Sequence, residues 1–231
     1  MKQVFRIALL VSIFSILSAC ALKPQTPITL KQTFWSDAPK KVGVVMAKIP
    51  ELDVYLPGAG CLLCLAAAEI ANSSISSHLN TLSSDDLANL KQEVAKKLEN
   101  KGVDVVVIDS DINIDDLPKY KSETPNSTRK DYSSFKASHG LTHLVVINVT
   151  GLGIHRTYSS YIPTSDPKGS FSGASYMVNL SNNTYDWYKP LNILKSVNDE
   201  WDEPPLFPAL TNAYYQALET GKDSVLAPFS E

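Results

Sequence analysis

Short apolar runs alternate with polar segments along this chain, and the spacing of the apolar positions predicts its elements. Val42-Gly43-Val44-Val45-Met46-Ala47 predicts a short buried strand, ended by Pro50. Leu52 to Gly60, carrying Pro57, Gly58 and Gly60, predicts a loop. Cys61 to about Leu79 predicts a helix whose front half, Cys61 to Ala68, is apolar on all sides. A helix of that kind either fills the core or docks on a membrane or a partner.

The next helix is amphipathic. Ser83 or Ser84 can cap it, Asp85 and Asp86 suit the positive end of the helix dipole, and Leu87, Leu90, Val94 and Leu98 form one stripe. Gly102 supplies its stop, and Val103 to Ile108 predicts a strand. Residues 109–130 read as a polar loop, Tyr132 to His139 as a short helix ended by Gly140, and Leu144 to Val149 as a central strand. Gly151-Leu152-Gly153 reads as a turn into a strand over Ile154 to Ile162. Ala174, Tyr176, Val178 and Leu180 alternate with polar neighbours, and Ser181-Asn182-Asn183-Thr184 turns the chain into Tyr185-Asp186-Trp187-Tyr188. A terminal helix follows from Leu206, ended by Gly221. Early helices and a late strand meander predict a single α+β (mixed α/β) domain, with antiparallel C-terminal strands flanked by helices.

Composition excludes several classes. Of 231 residues, 21 are Lys or Arg and 24 are Asp or Glu, a net charge of −3 that argues against a nucleic-acid partner. With 44% hydrophobic residues the chain is not disordered, and three cysteines are too few for a disulfide scaffold.

The N-terminus has its own pattern. Lys2 and Arg6 precede an almost unbroken apolar run from Ile7 to Leu17. Eleven helical residues reach about 16 Å, roughly half a hydrocarbon core, so the run suits an export signal and not a permanent span. Leu17-Ser18-Ala19-Cys20 then resembles the lipobox of bacterial lipoproteins at all four positions. The resemblance implies removal of residues 1–19, acylation of Cys20, and a membrane partner reached through that lipid. Ala21, where an Asp would otherwise stand, implies sorting to the outer membrane. Loss of Lys2 and Arg6 leaves 19 basic residues against 24 acidic, a net charge of −5. The lipid, not electrostatics, then does the anchoring. Residues 20–41 contain Pro24, Pro27 and Pro39 and predict an extended tether of at most roughly 70 Å, with 42–231 the periplasmic domain. Phe34 and Trp35 offer an alternative edge for that domain, near residue 33.

Two further features, the helix–Gly–strand unit from Leu87 to Ile108 and the hairpin from Tyr176 to Trp187, resemble small periplasmic lipoprotein domains. The element order over about residues 42–220 is similar to the TolB N-terminal, curli-secretion-lipoprotein and penicillin-binding-protein-activator type. That resemblance implies binding and not catalysis. The activators' long Pro-rich arm is absent from this chain.

Candidate chemistry is sparse. Cys61 and Cys64 share a helical face, and the pair reads as buried thiols or a structural disulfide, as a redox pair, or as half of a metal site. No second CxxC accompanies it. His139 and His143 flank Gly140, where helix gives way to strand, so they do not share a helical face; His78 and His155 stand alone. Asp109, Asp111, Asp115 and Asp116 lack the Gly and Glu of a calcium loop, with Ile114 and Tyr120 in those places. Neither Gly58-Ala59-Gly60 nor Gly151-Leu152-Gly153 continues into a nucleotide fingerprint, and no hydrolase elbow or phosphate loop is present. Tyr158, Tyr161, Tyr176, Tyr185, Trp187, Tyr188 and Trp201 crowd the C-terminal half, either as sheet packing or as a binding face. With no catalytic constellation, cofactor or metal motif, the expectation is a non-catalytic accessory, assembly or binding factor of the envelope with a protein partner. A thiol–disulfide protein using Cys61 and Cys64, or a carrier of an apolar ligand, is the alternative.

Overall fold

The structure is a computed structural model that describes residues 24–36, 40–198 and 200–230. The segment read as an export signal, residues 1–19, and the expected acylation site Cys20 lie outside the described residues. The elements run α1 (Thr33–Ser36), β1 (Lys41–Met46), β2 (Leu52–Tyr55), α2 (Leu62–Ala71), α3 (Ser73–Leu79), α4 (Leu90–Glu99), β3 (Asp104–Val107), α5 (Ser133–His139), β4 (His143–His155), β5 (Tyr158–Ser159), β6 (Ile162–Pro163), β7 (Lys168–Asn179), β8 (Thr184–Ser196) and α6 (Pro208–Leu226). The class is mixed α/β in one domain. The main sheet has the order β3-β1-β4-β7-β8, and β2 pairs with β4 beyond the end of β1. Pairs among β1, β2, β3 and β4 are parallel, while β4–β7 and β7–β8 are antiparallel.

The centre is β4, thirteen residues long and buried along most of its length. Val145, Ile147 and Val149 face the core under α3, α4 and α6, while Leu144 and Val146 face a second core closed by Tyr132, Ile108 and Leu141. A bulge at Thr150 inserts one residue against β7. Parity therefore switches, and Leu152 and Ile154 return to the helical side. The turn expected at Gly151-Leu152-Gly153 is corrected accordingly, because these residues continue the strand. Gly153 sits at φ +134, with room for no side chain: a Cβ there would lie 2.1 Å from the Asp53 carbonyl oxygen of β2. The strand expected over 154–162 is instead the end of β4 followed by the small β5–β6 hairpin.

Other corrections have the same origin in packing. Residues 52–55, read as loop, form β2 along the upper half of β4. Gly221 does not end the last helix, which continues to Leu226; its Cα lies against the Phe171 ring, 2.6 Å from where a Cβ would be. Gly169 of β7 likewise faces the α6 backbone, where a Cβ would come within 2.1 Å of the Ala213 carbonyl. The two glycines let α6 lie close on the sheet.

The linker expected over 21–41 is shorter than its prolines suggest. Ile28 exchanges two backbone hydrogen bonds with Tyr188, at 2.9 and 3.0 Å, and Leu30 and Phe34 are buried in the helical-side core. Residues 24–36 thus form a strap bound along the free edge of β8. In the sequence three residues, Ala21 to Lys23, lie between Cys20 and Pro24.

Gly169→Ala is expected to lower unfolding free energy by about 1–3 kcal/mol through backbone overpacking, measured by urea denaturation. Gly60→Ala, which meets nothing within 4 Å, leaves stability within about 0.5 kcal/mol.

Candidate functional site: an apolar helix held by a buried polar node

Leu and Ala dominate α2 and favour helix. Cys61 caps its start, its sulfur accepting the Cys64 N–H at 2.9 Å, and Cys61 and Cys64 are joined by a disulfide with Cα atoms 4.9 Å apart. The buried side chains of the helix are Cys64 and Ala68, packed with Ala59 and Tyr158 in a small separate core. The remainder faces water. Leu62 is 85% exposed, Leu63 71%, Leu65 39% and Ile70 75%; at the tip of the neighbouring β5–β6 hairpin, Ile162 is 68% and Tyr161 56% exposed. The Tyr161 hydroxyl donates to Cys61 Sγ at 3.7 Å, which joins the hairpin to the start of the helix. Of the two expectations for Cys61–Ala68, the core role is not met. The four exposed Leu and Ile side chains of α2 leave nearly three whole side chains in water, roughly 4–8 kcal/mol of burial forgone.

Two small apolar anchors are little to hold such a helix. The fastening is polar and centres on Asn72, fully buried at the joint between α2 and α3. Its Nδ2 donates to the Ala68 carbonyl and to the Tyr158 hydroxyl, both at 2.7 Å. Its Oδ1 accepts from Arg156 Nη1 at 3.0 Å, while Arg156 Nε donates to the Ser165 carbonyl and the guanidinium stacks 4.6 Å over Trp201. Arg156 and Tyr158 come directly off the end of β4. None of Asn72, Arg156 or this role of Tyr158 is legible from spacing, since the three meet only through the fold.

The remaining predicted residues are scattered. His78 Nε2 lies 2.7 Å from Thr211 Oγ1 and burial holds its pKa down. His155 is lowered by burial and then by Lys168. His143 Nε2 lies 3.0 Å from Asp186 Oδ2, and His139 ends α5. The acidic segment is not gathered round a site: Asp109 offers its carbonyl to Lys91 Nζ at 2.9 Å, and Asp111 stands 3.6 Å from the same ammonium. Among the described residues no group of three or more His, Cys, Asp or Glu is placed to hold a metal ion. The aromatics divide. Tyr176 and Trp187 are buried in the sheet, and Tyr176 bonds to Tyr132 at 2.7 Å, where burial pushes Tyr132 up to about 12. Tyr161 belongs to the exposed apolar end.

No protein family and no curated protein sequence matches this chain. Solved structures similar to it include a PelC dodecamer from Paraburkholderia phytofirmans, 11% identical with a TM-score of 0.32 over 90% of this chain and 96% of that one. Lipoprotein GNA1162 from Neisseria meningitidis is 12% identical with a TM-score of 0.28, over 79% of this chain and 99% of that one. The hypothetical protein CT253 from Chlamydia trachomatis is 12% identical with a TM-score of 0.30, over 82% and 99%. Likeness at these TM-scores carries no argument about function or assembly. Among the described residues no helix is long and apolar enough to cross a membrane.

Asn72→Ala is expected to cost about 1–3 kcal/mol by leaving the Arg156 donor and the Tyr158 hydroxyl unpaired. Hydrogen exchange should rise over 62–79 well above its rise over β4; uniform acceleration across the domain would refute the local role of Asn72.

Proposed function

We propose that this chain is a bacterial envelope lipoprotein, acylated on Cys20 and held at the periplasmic face of the outer membrane, whose domain acts by binding and not by catalysis. Leu17-Ser18-Ala19-Cys20, with Ala21 after it, supports the anchoring and the sorting. The binding role is carried by one observation: α2 and the β5–β6 tip present a continuous apolar end to water. An exposed patch of this size marks an interaction surface.

Metabolic labelling with a palmitate analogue is expected to mark the wild-type chain in the outer-membrane fraction. Cys20→Ser should lose the label and appear in the soluble periplasm. A Cys20→Ser chain that remains labelled overturns the anchoring.

One arrangement favours a second reading, thiol–disulfide exchange. Cys61 is exposed at the start of a ten-residue helix and Cys64 is buried behind it, the layout in which an outer thiolate gains from the helix N-terminus. Cys64→Ser discriminates. If the pair only staples the helix, this variant accumulates no mixed disulfides on non-reducing gels of the envelope; mixed disulfides formed through Cys61 establish exchange.

A further inference from the structure

We propose that the cavity beneath the strap, beside the start of β4, binds a small monoanionic carboxylate, with Lys40 supplying the counter-charge. The site is separate from α2 and independent of the anchoring.

Lys40 leads into β1, its carbonyl accepting the Asp104 N–H at 3.3 Å. Its ammonium is buried and, among the described residues, has no hydrogen-bond or ion-pair partner. The contact it does make is with the Phe34 ring, whose centroid is 4.9 Å away. A ring face offsets only part of the cost of withdrawing an ammonium from water, and its three N–H donors stay without an oxygen acceptor. A buried cation left in that state is strongly destabilising, so its retention calls for an anion from outside the described chain.

The neighbouring cavity has the size and lining for such an anion. It lies between the strap and the Asn179–Asp186 edge, has a volume of about 420 Å³, and is lined in part by Lys40. That volume suits one small molecule. Among the described residues lining it the one carboxylate is Asp186, and this is already engaged: its Oδ2 lies 3.0 Å from His143 Nε2 and 3.5 Å from Asn179 Nδ2. His143 is fixed in turn by Thr142 Oγ1, 2.9 Å from Nδ1, and by its edge contact with Phe34. Asp186 is thereby held to His143 and forms no ion pair with Lys40.

The charge balance selects the ligand. Lys31 is exposed at the rim, so Lys31 and Lys40 stand against Asp186, a formal charge of +1 with His143 neutral. A monoanion neutralises that lining, whereas a dianionic phosphate overshoots it and is repelled by Asp186. Leu30 and Phe34, both buried, supply an apolar wall, so the carboxylate sits on an apolar body. The flexible four-carbon stem of Lys40 lets its ammonium turn from the Phe34 ring onto the bound carboxylate.

The test uses the full chain in non-ionic detergent with benzoate as probe. Benzamide serves as its neutral isostere and phenyl phosphate as the dianion, each at about 10 mM and equal ionic strength. Benzoate is expected to raise the thermal midpoint by at least about 3 °C, and the other two by less than about 1 °C. Lys40→Met keeps the stem and removes the charge. Without probe its midpoint should rise by about 2–4 °C, and its benzoate shift should vanish. Lys31→Glu, at an exposed position, should cut the wild-type benzoate shift by about half or more. No benzoate shift, equal benzoate shifts in wild type and Lys40→Met, or a benzamide or phenyl phosphate shift matching that of benzoate overturns the site. So does a lower midpoint for Lys40→Met without probe, since Lys40 then already has a partner in the chain, for which Asp37, outside the described residues, is the candidate.

Discussion

A strand buried on both faces must have neighbours on both edges and cover on both sides, because its backbone groups have no access to water. β4 meets that demand with β1 and β2 laid end to end along one edge and β7 along the other. The helices cover one face, and the segment around Tyr132 and Leu141 covers the other. The bulge at Thr150 is what lets a strand of this length serve one core throughout: without its parity switch, Leu152 and Ile154 would point away from α3 and α6. The tight contacts at Gly153, Gly169 and Gly221 follow from the same requirement, as each lets a neighbouring backbone or ring close on the central layer.

The end of β4 also sets the character of the apolar site. Arg156 and Tyr158 leave the strand and meet Asn72, so α2 is fastened at its C-terminal joint by buried hydrogen bonds. At its N-terminus the Cys61–Cys64 bridge staples the first turn to itself, and the Tyr161 hydroxyl, 3.7 Å from Cys61 Sγ, ties that turn to the β5–β6 hairpin. A helix fixed at both ends by groups other than apolar side chains can turn its Leu and Ile residues outward and stay ordered. That separation of fastening from burial makes an exposed apolar face compatible with a stable domain.

At the other end the strap along β8 has a comparable effect on position. Ile28, Leu30 and Phe34 convert a proline-containing segment into part of the body.

Local pattern was enough for the elements whose signals are periodic or chemical. The stripe Leu90–Val94–Leu98, the left-handed stop at Gly140 and the Asn182-Asn183 hairpin turn, with Asn183 at φ +57, all lie where their residues place them. The mixed α/β class followed from element order, and the resemblance of Leu17-Ser18-Ala19-Cys20 to a lipobox is legible because the four residues are contiguous. Tertiary structure alone decided the rest. Gly151 and Gly153 looked like turn residues because glycine has the same local signature in a turn and at a close backbone approach. Gly221 looked like a helix stop until Phe171 was found against it. Above all, a helix apolar at every position but one, such as Leu62–Ala71 with Glu69 its single charge, carries little mark of which side faces inward. The packing of Cys64 and Ala68 on Ala59 and Tyr158, with the hydrogen bonds of Asn72 at the far end, determines which residues are left in water.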